Sequence, residues 1–304
     1  MNLPESIQVI ERGWLSANNI VLHTQVAATV VDSGYGAHAA QTVSLLELAL
    51  KGKPLEHLVN THCHSDHMGG NATIQRTFRC KTSIPEGEAP LIDRWDEREL
   101  ILSAADQRAE RFAYDDTFGS GDTLAMGKYE WQVLAAPGHD THAVMFYSPE
   151  TRVLISGDAL WENGFGAVFG QLFGRDTALA ETRETLERIA GLDCEIVIPG
   201  HGRPFGEVGA ALERAFSRLN GYEQDITRLA RHVVKVLFTF SLLEKRSMPL
   251  AELPVYVARV PILAELNSRY LHMTPAAVAE WLVNGLERAG AAYRQDGSLL
   301  AKGR

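Results

Sequence analysis

Short apolar runs bounded by turn residues mark the start of the chain: Asn19-Ile20-Val21-Leu22, then Ala27-Ala28-Thr29-Val30-Val31 ending at Asp32-Ser33-Gly34. Runs of that length between turn signals predict buried strands. The period then changes, because Val43, Leu46 and Leu50 recur at helical spacing before Gly52 and Pro54 supply the stop. Leu58-Val59-Asn60 predicts another brief strand. The second half repeats this logic, with strands predicted over 131–134, 143–146, 152–155 and 195–198. An amphipathic helix falls between the last two, with Leu179, Leu186 and Ile189 on its buried face, Asp176 as its cap and Gly191 at its end. Strands followed by helices in both halves imply an α/β protein whose sheets carry helices on their outer faces.

Two segments stand apart. Residues 86–116 mix dense charge with apolar Leu91, Trp95, Leu100 and Leu102, which predicts a helical insertion beside the site. From about 210 the pattern turns helical and closes with a helix over 277–290, then Ala291-Ala292-Tyr293-Arg294, a turn at Asp296-Gly297 and Ser298-Leu299-Leu300. A helix feeding a two-stranded hairpin predicts a winged-helix-like unit, so the expected division is a catalytic domain over 1–208 and a small domain over 209–304.

Composition narrows the setting. A hydrophobic content of 45% with 22% charged residues in 304 is ordinary globular usage. The start of the chain has no basic cluster leading into an apolar core, and no run approaches the ~20 apolar residues of a membrane span. Cys63, Cys80 and Cys194 are an odd, dispersed set that argues against a disulfide framework and for a reducing compartment. The expectation is a cytoplasmic protein without a membrane partner. A net charge of -9 disfavours general nucleic-acid binding. The tail from residue 221 is mildly basic at +3, which fits a solvated helical face.

The chemistry concentrates in Thr61-His62-Cys63-His64-Ser65-Asp66-His67, three imidazoles and a carboxylate within six residues, directly after a predicted strand. Neutral imidazoles beside a carboxylate match what Zn²⁺ binds at ~2.0 to 2.2 Å. Three more candidates follow in order: His139 in Pro137-Gly138-His139, Asp158 in Ser156-Gly157-Asp158, and His201 in Pro199-Gly200-His201-Gly202. Each stands just past a predicted strand, where a ligand is rigidly held yet open to substrate.

The H-x-H-x-D-H signature, the later Gly-His, the Gly-Asp after an apolar strand and the final Pro-Gly-His-Gly resemble the metallo-beta-lactamase superfamily over roughly residues 7 to 205. The resemblance implies a four-layered αβ/βα sandwich with the site at one edge. It also implies that His62, His64 and His139 hold one metal, that Asp66, His67 and His201 hold a second, and that Asp158 bridges them. Gly121-Asp122 mimics Gly157-Asp158, but Asp122 precedes His139 and falls in a predicted turn, against the family order. The intact bridging carboxylate departs from true zinc beta-lactamases, and His64 departs from the flavodiiron proteins. The chain is therefore similar to the hydroxyacylglutathione hydrolase, lactonase and phosphodiesterase branches.

The function implied is a hydrolase with two Zn²⁺, Fe or Mn being alternative metals, that turns a metal-bridging hydroxide on a small ester, thioester or lactone, with Asp66 as catalytic orienting group. Two other readings are a phosphodiesterase or endoribonuclease, disfavoured by the acidic body, and a mononuclear iron persulfide dioxygenase, disfavoured by retention of every second-site ligand. A homodimer is compatible with all three. Asp32 reads equally as a turn residue and as a group orienting a ligating imidazole, and Cys63 as an inward-packing apolar residue. His23, His38, His57, His142, His232 and His272 read as structural or surface residues, whereas Trp161, Asn163 and Phe165 are candidates to face substrate.

Overall fold

The computed structural model describes residues 2–302. The chain begins with antiparallel strands β1 (Ile7–Ile10), β2 (Asn19–His23) and β3 (Ala28–Val31), then crosses through helix α1 (Ala39–Leu50) to β4 (Leu55–Val59), parallel to β3. Lys51 and Gly52, both in the left-handed region, turn the chain out of α1. One turn of helix, α2 (Ser65–Met68), and α3 (Asn71–Phe78) precede β5 (Lys81–Pro85), while α4 (Ala89–Arg94) and irregular chain lead to β6 (Asp116–Phe118). These six strands form one sheet in sequence order. The second sheet holds β7 (Thr123–Met126), β8 (Tyr129–Ala135), β9 (Val144–Ser148), β10 (Val153–Gly157) and, after helix α5 (Ala178–Ala190), β11 (Ile196–Pro199), which lies parallel to β10.

Period-two alternation assigns the layers. Ile20, Leu22, Val31 and Val59 face Trp131, Val133, Phe146, Val153 and Ile155 between the sheets. Their neighbours Val21, Val30 and Leu58 turn outward onto Leu46 and Leu50 of α1 and Ile74 of α3. On the other side Leu154 and Val197 pack under Leu186 and Ile189 of α5. Helix, sheet, sheet and helix therefore stack as an αβ/βα sandwich. Each buried Leu, Ile or Val contributes about 1.5–3 kcal/mol, and a one-residue slip of any strand would send that contribution to the wrong face.

The tail comprises α6 (Val208–Gln224), α7 (Ile226–Lys245), β12 (Ser247–Pro249), α8 (Leu253–Arg259), α9 (Pro261–Leu266), α10 (Pro275–Arg288), β13 (Ala292–Gln295) and β14 (Ser298–Ala301). Asp225 caps α7 by accepting from the Thr227 amide, and Thr274 caps α10 by accepting from Ala277, with Pro275 at the first turn. Leu219, Leu229, Val233 and Leu237 join the same apolar cluster as Leu154 and Leu186, so α6 and α7 are docked on the outer face of the second sheet. Among the described residues no helix is long and apolar enough to cross a membrane.

Two local expectations fail. Residues 86–116 form only α4 and a single 3₁₀ turn at Ser103–Ala105, because Trp95 and Ile101 take left-handed conformations that break the helix. Their apolar positions are nonetheless buried, with Ile92, Leu100, Leu102 and Phe112 packed on Cys63, Met68 and Ile84. Asp176 does not cap α5; Thr177 occupies the cap position without a capping side-chain bond, and its hydroxyl donates to Glu181 instead.

Candidate metal centre

The seven predicted donors converge where β4, β8, β10 and β11 end. His62, His64 and His139 bring one ring nitrogen each within 4.8 Å of one another, as do the donor atoms of His62, His67 and Asp158, and those of Asp66, His67 and His201. His64 Nδ1 lies 2.8 Å from His139 Nε2, and His201 Nε2 lies 3.0 Å from Asp66 Oδ2. Asp158 faces both groups: Oδ2 is 3.4 Å from His139 Nε2 and Oδ1 is 3.4 Å from His67 Nε2. Asp122 lies elsewhere, accepting from the Gly119 amide in an exposed turn.

Local chain geometry makes this approach feasible. Gly138, with φ of +134°, turns the backbone before His139 in a conformation that a side chain would strain. At Gly200 the constraint is space, since a Cβ there would come within 2.4 Å of Asp158 Oδ1 and 2.9 Å of His67 Cε1. The buried Asn18 side chain donates to the carbonyls of Pro199 and Gly202, and the Ala17 amide donates to Asp66, so one N-terminal segment fastens both ligand loops.

The supporting shell settles the role of Asp32. Its Oδ2 accepts from His67 Nδ1 at 2.8 Å and from the Thr61 hydroxyl at 2.8 Å, and its Oδ1 accepts from the Thr61 amide at 2.9 Å. That fixes the ring so that Nε2 points inward. His139 Nδ1 donates to the Ala167 carbonyl in the same manner. His64 Nε2 lies 3.6 Å from Asp140, a carboxylate that shares a buried contact with Glu88.

Burial and mutual contact set the charge of each donor. Burial and the neighbouring imidazoles of His67, His64 and His139 hold His62 far below the usual histidine range, and burial with His139 brings His64 down to about 4. Both are neutral at pH 7. Burial opposes ionisation of Asp158, but His67 and His201 outweigh it and keep the carboxylate charged. His67 is buried too, yet Asp32, Asp158 and Asp66 surround it and raise its pKa well above normal. Three carboxylates thus favour positive charge at this point, which a bound divalent ion would supply in place of the ring proton. His62 Nε2 and His67 Nε2 are buried without a hydrogen-bond partner, a costly state that a metal ion relieves. Neutral imidazoles, ionised carboxylates and orphaned inward-facing nitrogens together fit the donor set of a divalent metal site.

The superfamily model described as "Metallo-beta-lactamase superfamily" matches residues 12–201. The chain belongs to that superfamily. Relatives named as hydrolases mark it as an enzyme of that superfamily. A Beta-lactamase-like protein 2 homolog of Caenorhabditis elegans is 27% identical over 222 residues, 72% of this chain and 65% of the relative. A probable metallo-hydrolase, YqjP, of Bacillus subtilis is 28% identical over 67% of this chain and 72% of its own. The hydroxyacylglutathione hydrolase of Rhodospirillum rubrum is 29% identical, but the match spans only 55% of this chain and 57% of that enzyme. Among solved structures, a metallo-beta-lactamase family protein of Thermus thermophilus covers 98% of this chain and 99% of its own at a TM-score of 0.61 and 19% identity. A beta-lactamase domain protein of Burkholderia ambifaria covers 99% of this chain and 94% of its own at 0.60 and 21%. At those identities the likeness is one of fold.

A cavity of about 410 Å³ opens over the donors of this superfamily member. Trp161 and Asn163 line it as expected, but Phe165 is buried against Tyr222 instead. Trp161 also donates its indole N–H to Asp158 Oδ1 at 3.2 Å. His232, expected to be structural or surface-exposed, lines the same cavity, whereas His142 stays exposed and Cys63 is packed in the core. Sequence reasoning missed Trp14, which stacks on His201 with ring centres 5.5 Å apart, and the α7 residues Lys235 and Phe240. No local motif marks them. Asp140 carried a signal, a carboxylate directly after a candidate ligand.

Proposed function

We propose that this chain is a binuclear zinc hydrolase of small esters, thioesters or lactones. His62, His64 and His139 would hold one ion, Asp66, His67 and His201 the other, and Asp158 both. The observation that carries this reading is the two-faced seating of Asp158, one oxygen toward each group. Ions held there would supply a water whose pKa is lowered from ~15.7 toward ~7 and an electrophile for the substrate carbonyl oxygen. Burial works against ionisation of Asp66, but His67 and His201 keep it a carboxylate at the cavity floor. From there it would orient the attacking water by accepting a hydrogen bond and would balance the charge of the ions. Trp14, Trp161 and Phe169 close the cavity with apolar surface that excludes bulk water and suits a small organic body over a polynucleotide.

The hydroxyacylglutathione hydrolases among the relatives accord with this chemistry. Helix α10 feeding the β13–β14 hairpin, with β12 added at its edge, supports reading the tail as winged-helix-like. Three free thiols, two of them buried, agree with a reducing cytoplasmic setting.

Metal analysis and a substrate panel test the proposal together. Two zinc ions per chain are expected, falling to one or none in Asp158→Ala with loss of turnover on thioester, lactone and ester substrates. One iron per chain, or full turnover by Asp158→Ala, overturns it.

A further inference from the structure

The cavity continues past the metal donors. Its far wall is built from Arg218 on α6 and from His232 and Lys235 on α7, in surroundings that are otherwise largely apolar. On the reading of the site as an esterase or thioesterase, that wall selects the substrate.

Arg218 and Lys235 are both half-buried, and neither has a carboxylate within ion-pair reach among the described residues. Other arginines nearby are matched: Arg183 with Glu223, Arg203 with Glu162 and Arg228 with Asp225. The guanidinium of Arg218 lies against Gly164, where a Cβ would come within 2.4 Å of Nη1. The Lys235 ammonium stands 5.0 Å over the Trp281 ring, which holds the long side chain in place. Burial, together with Arg218 and Lys235, lowers the pKa of His232 to about 4, so at pH 7 the ring is neutral and offers hydrogen bonding without charge. In a chain of net charge -9, two uncompensated cations on a cavity wall create a local positive potential that an anion relieves.

We infer that Arg218, Lys235 and His232 form an anion subsite, and that the substrate is an apolar ester or thioester carrying a carboxylate or phosphate distal to the scissile bond. The planar guanidinium fork fits two oxygens of either group, and the ammonium adds a point charge. Trp14 and Phe240 line the same cavity as the metal donors and this wall, and supply surface for the apolar body.

Calorimetric titration of the full-length, metal-loaded chain with phenylbutyrate, phenylpropyl phosphate and neutral phenylbutanamide tests the inference. The anions should bind at least about tenfold more tightly than the amide, the equivalent of one charge-assisted hydrogen bond. Arg218→Gln and Lys235→Gln should each remove most of that difference while leaving amide binding unchanged, and the tighter anion names the distal group. Melting temperatures check folding, and Arg218→Lys retains the charge should the glutamine variant be unstable. Equal binding of anions and amide overturns the inference. So does an anion preference that survives both substitutions, because the oxyanion is then on the metal ions. No bond is broken in this titration, so its failure is distinct from a failure of the hydrolase reading, which appears only as absent turnover.

Discussion

Replacing Asp32 by Asn tests whether a residue that touches no substrate governs the second metal group. The change is nearly isosteric, and Asn tolerates the left-handed backbone at this position, where φ is 60°. Asp32 accepts three short hydrogen bonds, two from Thr61 and one from His67, with side-chain exposure of 1% for the aspartate and 0% for the histidine. An amide must turn its NH₂ toward at least one of those donors. In the cheaper orientation the Thr61 N–H loses its acceptor, a cost of about 1–3 kcal/mol, and the bond to His67 loses its charge assistance as well. The fold should therefore lose roughly 2–4 kcal/mol. His67, held by a weaker hydrogen bond to a neutral acceptor and so less basic, should release the proposed second metal about 10–100-fold more readily. Competition with chromophoric chelators of graded strength reads the metal loss, and thermal melting reads the stability. Unchanged retention of both metals in a folded variant would refute the argument.

Two further outcomes follow from the buried ionisable groups. Burial and Asp140 push Glu88 far above the carboxylate range, so it is already neutral. Glu88→Gln should then change stability by under about 1 kcal/mol, whereas Asp140→Asn, which removes the carboxylate beside His64, should cost about 10–100-fold in kcat/KM. Steady-state kinetics and melting of the two variants side by side reveal whether the order is reversed. For His232, the folded pKa of about 4 lies below the ordinary histidine value of 6.5, so the unfolded chain binds more protons in this window. Its neutral burial costs nothing above pH 6.5 and progressively destabilises the fold as pH drops toward 4. His232→Phe should accordingly flatten the loss of melting temperature between pH 6.5 and 4, and a slope identical to the parent chain would count against a buried neutral imidazole.

The site was more legible in the sequence than the walls around it, for a physical reason. His and Asp are favoured metal donors, and here they lie just past strands or, for Asp66 and His67, on the helical turn that follows one, so His62, His64, Asp66, His67, His139, Asp158 and His201 stand out by type and by position. The strands β2, β3 and β10 were equally readable, because each carries a short, mainly apolar run that is buried, and β8 by its alternation of Trp131 and Val133 with polar neighbours. Residues 86–116 misled because helix-favouring charges and apolar spacing carry no sign that Trp95 and Ile101 adopt left-handed backbone. The cavity wall was invisible for another reason. Arg218 and Lys235 look like solvated charges on amphipathic helices, and only the docking of α6 and α7 on the second sheet turns them toward the site.

That contrast bears on how function is distributed along the chain. All seven donors fall within residues 12–201, the span matched by the superfamily model, while Arg218, His232, Lys235 and Phe240 lie beyond it. The irregular segment after α4 supplies Leu100, Ile101 and Gln107 to the same cavity, and it is tied to the tail by Arg108 to Glu244 and by Asp106 to Lys245 and Tyr256. The sandwich therefore provides the reactive floor, and two segments anchored to each other provide the walls. A tail that served only to bind a macromolecule would have no need to line the donors' cavity with cations. One that shapes the pocket must stay docked, and the shared apolar core beneath α6 and α7 holds it there.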